Sequence, residues 1–252
     1  MITAWVKFAV FVVAVLALPA ALMASGDPQV VDLGKLAMIL SPGVAGLALN
    51  FGLGDRGLKA RWGQVALAAG VTLAVVAAAL VPAFASGLAA FRAPGLAPSG
   101  LAAVVAGSAL TSVLEELGWA GGGLALAIKA FGRRAGVLVL GLVWAAWHLI
   151  PTMLKVGLFP DLEAASPAML AAFVASCLIY RELLTQLRER AATWWAAAAG
   201  HAAPNILLAG LLGAGLGFDL TRGWWFFPAP GGLVFPAMAL LAVVMLRRRA
   251  RA

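Results

Sequence analysis

"LAAVVAGSALTSVLEELGWAGGGLALAI", residues 101–128, decides how this chain folds. Its only charged side chains are two neighbouring carboxylates, Glu115 and Glu116. A helix of this length reaches roughly 40 Å, more than the ~30 Å hydrocarbon core of a bilayer. Backbone in lipid must satisfy its own hydrogen bonds, so the stretch predicts a membrane-spanning helix with two acids inside it.

The whole chain is built the same way. Of its 252 residues, 63% are hydrophobic and 11% charged, against about 45–50% and 25% in soluble domains. Eight apolar segments lie near 4–24, 33–53, 63–84, 101–128, 136–154, 167–180, 192–214 and 231–246; the sixth is the shortest, with room to extend through "RELLTQL" to the interface. The fold class is therefore all-α, a polytopic bundle of about eight transmembrane helices. The spans use up the length, which makes residues 1–252 one membrane domain. The single cysteine, Cys177, excludes an internal disulfide or a thiolate metal cluster.

A net charge of +8 could mean nucleic acid, but its distribution points to topology. One set of loops, with the termini, carries nearly all the cations. They are Lys7, Arg56, Lys59, Arg61, Lys129, Arg133, Arg134, Arg181, Arg188, Arg190 and the tail Arg247, Arg248, Arg249 and Arg251. The other loops hold only Lys35, Arg92, Lys155 and Arg222. The positive-inside bias places both termini in the cytoplasm of a multi-pass cell-membrane protein. The first span could be read as a signal peptide, but its apolar run is long and Leu22 fits a cleavage site poorly, favouring an anchor.

Few strongly polar side chains fall near mid-bilayer. They are Glu115 and Glu116 on the fourth span, His148 on the fifth, and His201 and Asn205 on the seventh. Taken singly, a buried His or Asn can simply bridge two helices. Two adjacent acids are harder to explain away, since a central acid costs about 2.5–3.5 kcal/mol even on an insertion scale. With both histidines of the chain at a similar depth, a functional site is the expected reading. Glu115 and Glu116 point about 100° apart and cannot serve one small site alike. His201 and Asn205, four apart, share a helical face.

In order along the chain stand "EELGWAG" at 115–121, "WAAWH" at 144–148 and "HAAPN" at 201–205. Together they resemble the CPBP family of membrane proteases, known from CAAX processing and bacteriocin-related proteins. That family carries Glu-Glu-x-x-x-Arg, then Phe-x-x-x-His, then His-x-x-x-Asn on separate spans. Residues 41–63 also resemble its second span and basic loop. Here Trp144 stands where the family often has Phe, and Ala120 stands where it has Arg. The next cation, Lys129, lies at the membrane edge, so Glu116 is expected to keep a proton or to find another partner. The glycines Gly121 to Gly123, each costing about 1 kcal/mol in a helix, predict a break or kink.

The resemblance implies peptide-bond hydrolysis inside the membrane. Glu115 and His148 would activate water, His201 and Asn205 would donate to the oxyanion, and Glu116 would support geometry or substrate binding. No cofactor is expected. The alternative is zinc held by Glu115, His148 and His201, with an open position for water. Against it, HExxH is missing and Asn205 is a poor zinc ligand. The partners expected are membrane lipid and a peptide or protein substrate in the membrane, with no nucleic acid. A bacteriocin-immunity or scaffold role remains the non-catalytic alternative. An ion or proton carrier is a third class, without the paired half-length segments expected of one. The aromatic "GWWFFP" at 223–228 reads as an interfacial belt rather than a ligand site.

Overall fold

The computed structural model describes residues 3–50, 61–91 and 95–249. The basic loop around Arg56 and Lys59, the outer-loop Arg92 and the tail Arg251 lie outside the described residues. Among the described residues, seven helices are long and apolar enough to cross a membrane. They are α1 Ala4–Met23, α2 Pro28–Asn50, α3 Trp62–Ala85, α4 Pro98–Phe131, α5 Arg133–Leu154, α6 Pro167–Ala191 and α7 Trp194–Gly213. The shorter α8, Val234–Arg249, completes an all-α bundle.

Local sequence sets the ends. The Ser166 and Thr193 side chains accept backbone N–H groups of Met169 and Trp195, capping α6 and α7. Pro98 and Pro167 sit in first turns, where the missing N–H costs nothing. Gly132, at φ 75°, turns α4 directly into α5. At the opposite end, β1 (Ala89–Phe91) pairs antiparallel with β2 (Leu216–Phe218), tying the α3–α4 connection to the α7–α8 connection.

One expectation needs correction. The sixth span extends past residue 180 through "RELLTQL", as its shortness suggested, and runs to Ala191. Fourteen apolar residues would reach only about 21 Å, too short for a bilayer, so "RELLTQLRER" continues the helix. Arg181, assigned to a loop from sequence, is thereby carried into the core, where its side chain is 1% exposed. Further along, Arg133 at the start of α5 pairs with Glu182 and Glu189 of α6, and Arg247 of α8 also reaches Glu182.

At its glycines the fourth helix departs from the α-helix without ending, in keeping with the expected irregularity there. It continues through a π-turn over Trp119–Gly123. The glycines serve close approach. A Cβ on Gly118 would overlap the Pro42 carbonyl, and one on Gly122 would overlap Gly46 of α2. On Gly46 it would lie 2.7 Å from the Gly118 Cα. Gly118 and Gly122, four apart, therefore make the small-residue seam on which two lipid-embedded backbones can meet. Phe11 of α1, fully buried, packs edge-on against Trp119 at 5.6 Å and fills the space beside Gly123. The π-turn offers the Ala120 carbonyl to a side chain, and Arg188 Nε donates to it at 2.7 Å, a known way to accommodate an interrupted helical ladder.

Candidate active site

The residues singled out from sequence converge on one cavity of about 760 Å³. Glu115 of α4, Trp144 and His148 of α5, Tyr180 of α6, and His201 and Asn205 of α7 all line it. Glu116 does not. It lies behind the wall, with no exposed surface.

Glu116 finds a partner that the sequence reading did not name. The Arg181 guanidinium grips its carboxylate with both terminal nitrogens, at 2.8 and 2.9 Å. His201 Nδ1 stands 3.0 Å from Oε1 of the same carboxylate. Both carboxylate oxygens already accept hydrogen bonds from a permanently charged group, so Glu116 is an ionised acceptor. Of the two outcomes expected opposite Ala120, a kept proton or another partner, the structure shows the partner, Arg181. His201 Nδ1 must then be the donor, which leaves Nε2 with the lone pair whenever the ring is neutral.

The same reasoning fixes His148. Its Nδ1 lies 3.0 Å from the Trp144 carbonyl oxygen, which can only accept. The Nε2 of His148 is therefore the acceptor atom. Both histidines are oriented through Nδ1 and keep the other nitrogen for chemistry.

Trp144 joins the two halves. Its Nε1 donates to Glu115 Oε2 at 3.1 Å, while the Arg181 guanidinium carbon sits 4.3 Å over its ring. Tyr180 stacks on it and both imidazoles meet it edge-on. The position where the resembled family often has Phe thus carries a hydrogen-bond donor to the first glutamate. Asn205 Nδ2 donates to Ser112 Oγ at 3.0 Å, and Ser112 in turn donates to the Ser108 carbonyl. One amide hydrogen of Asn205 is thereby tied back, which orients the group at the cavity wall.

The zinc alternative finds no support in this arrangement. Among the described residues, no three His, Cys, Asp or Glu side chains come together as a metal-ligand set. The aromatic segment at 223–228 is also more than a belt. Phe227, with Ala229, Pro230 and Gly231 just after it, forms part of the cavity wall.

The buried role of Arg181 was missed from sequence. The extension through "RELLTQL" that a short sixth span invites begins with this residue, but its charge was counted with the loop cations. Trp144 was recognised as a family position but not as a donor, because nothing in its spacing shows where the indole N–H points.

The sequence model of the type II CAAX prenyl endopeptidase Rce1-like family matches residues 96–207. That range contains Glu115, His148, His201 and Asn205, and Arg181 as well. No curated protein matches the chain.

Proposed function

We propose that this chain, a CPBP-family membrane endopeptidase by its Rce1-like residues 96–207, uses Glu115, His148, His201 and Asn205 to hydrolyse a peptide bond within the membrane. The observation that carries the proposal is the convergence of these four side chains on one cavity whose remaining wall is mostly apolar.

In the reaction, a water held between Glu115 and the lone pair of His148 Nε2 attacks the scissile carbonyl carbon. Glu115 takes the proton that this releases. His201, its Nδ1–H committed to Glu116, turns the Nε2 lone pair toward the cavity and so serves as an acceptor that orients the scissile N–H rather than as an oxyanion donor. The Glu116 carboxylate holds that tautomer, the role a carboxylate plays behind a catalytic histidine. Asn205 adds its free amide hydrogen to the oxyanion. The C–N bond then breaks, and the proton on Glu115 passes to the leaving amine.

The side of entry follows from placement. The cavity wall draws on Leu96, Leu158, Phe159, Leu162, Phe218 and Leu220, all from the α3–α4, α5–α6 and α7–α8 connections. Lys129, Arg133, Arg134, Arg190, Arg247 and Arg248 lie at the opposite ends of the helices. By the positive-inside bias the mouth faces away from the cytoplasm. A substrate would be an apolar peptide segment in or on the membrane, reached from that side.

The test is cleavage by purified protein in proteoliposomes, with an inserted apolar peptide as probe. Glu115→Gln, His148→Gln and His201→Gln should each abolish cleavage while the protein remains folded, and activity should survive a zinc chelator. Activity lost to the chelator and restored by zinc would overturn the metal-free route. Equal cleavage by wild type and Glu115→Gln would overturn the site.

A further inference from the structure

A buried arginine outside the cavity lining bears on both glutamates, on Glu116 directly and on Glu115 through Trp144. Arg181 is 1% exposed, sits on a helix that contributes none of the four proposed catalytic groups, and holds Glu116 at two points. Through Glu116 it fixes His201, whose Nδ1 binds the same carboxylate. Through its stacking on Trp144 it braces the indole that donates to Glu115. The family pattern would have an arginine on the same helix as Glu116, four residues on, where this chain has Ala120. That position is closed here: Ala120 is buried and its carbonyl is taken by Arg188.

We infer that Arg181 is the positioning residue of the site, a cation supplied from α6 that sets the tautomer of His201 and the aim of Glu115. The inference rests on the proteolytic reading for its effect on rate, but not for its effect on His201. A bidentate guanidinium fixes a carboxylate in plane, whereas an ammonium of equal charge makes a point contact. Arg181→Lys should thus keep the charge and lose the alignment. With Glu116 free to rotate, His201 loses the partner that assigns its proton to Nδ1, and its two tautomers mix.

Only two histidines exist in the chain, so protein labelled with ¹⁵N-histidine gives two resolvable imidazoles, assigned with His148→Gln. In the wild type, His201 should show a protonated Nδ1 and an unprotonated Nε2. In Arg181→Lys its nitrogen shifts should move toward each other, while those of His148 stay. The double variant Arg181→Gln/Glu116→Gln, which removes both charges together, should show the same change in a folded protein even where Arg181→Gln alone fails to fold. In the cleavage assay, Arg181→Lys should lower kcat about tenfold or more with KM within about threefold, the pattern of a contact made in the transition state. Unchanged His201 shifts in both variants would overturn the inference, as would wild-type kcat in Arg181→Lys. If the wild type cleaves nothing yet His201 shifts with Arg181, the protease reading falls and the positioning role stands.

Discussion

At the scale of single residues, the site separates acids that look identical in sequence. Glu115 faces the cavity with an indole donor, and Glu116 faces a guanidinium and an imidazole. Removing the charge from Glu116 leaves Arg181 buried without its counter-ion, a loss of about 3–5 kcal/mol. Glu116→Gln should therefore lower the thermal midpoint in detergent sharply, and a midpoint within a degree of wild type would refute the pairing. Trp144→Phe keeps an aromatic ring but removes the indole N–H donor to Glu115 and part of the ring, the bond alone being worth about 1.5–3 kcal/mol to a charged group. It should cost roughly tenfold or more in rate and also lower the thermal midpoint, measured as kcat beside the melting curve. Glu115, His148, His201 and Asn205 were legible in the sequence because strongly polar groups in hydrocarbon need a reason. Arg181 was not, because an arginine at a span's end is ordinarily a loop cation. Its burial depends on a partner 65 residues away.

At the scale of elements, the decisive contact is the crossing of α2 and α4. Gly118→Ala should destabilise the bundle by about 1–3 kcal/mol as the two backbones are forced apart. Gly107→Ala, on the same helix with nothing near its added methyl, should change stability by no more than ~1 kcal/mol. Thermal unfolding of the two variants side by side checks this, and equal effects would contradict the seam. From sequence the glycine cluster marked the right place and an irregular helix there, but not which form the irregularity takes. A helix can absorb an extra residue in a π-turn when a neighbouring side chain such as Arg188 takes the displaced carbonyl, and local propensity carries no information about that neighbour. The helix count and class were legible because lipid imposes them on composition. The sixth helix's true end was obscured because its charges are satisfied by Arg133, Arg247 and Glu116 on other helices.

At the scale of the whole molecule, charge and cavity lie at opposite ends. In a Cys177→Ala background, single cysteines at the exposed positions Lys155 and Arg222 should react with an impermeant thiol reagent added outside intact cells. Cysteines at Arg134 and Arg248 should react only after permeabilisation. The reverse pattern would turn the mouth toward the cytoplasm and change the class of substrate with it. The central claim, however, is hydrolysis by Glu115-activated water, and one measurement addresses it directly. Proteoliposomes bearing wild type or Glu115→Gln are incubated in H₂¹⁸O with lipid-inserted apolar peptides, including a farnesylated one, and the products are read by mass spectrometry. The account predicts new carboxyl termini carrying a single ¹⁸O with wild type and none with Glu115→Gln. Products in equal amount from both proteins, or none from either, would contradict it.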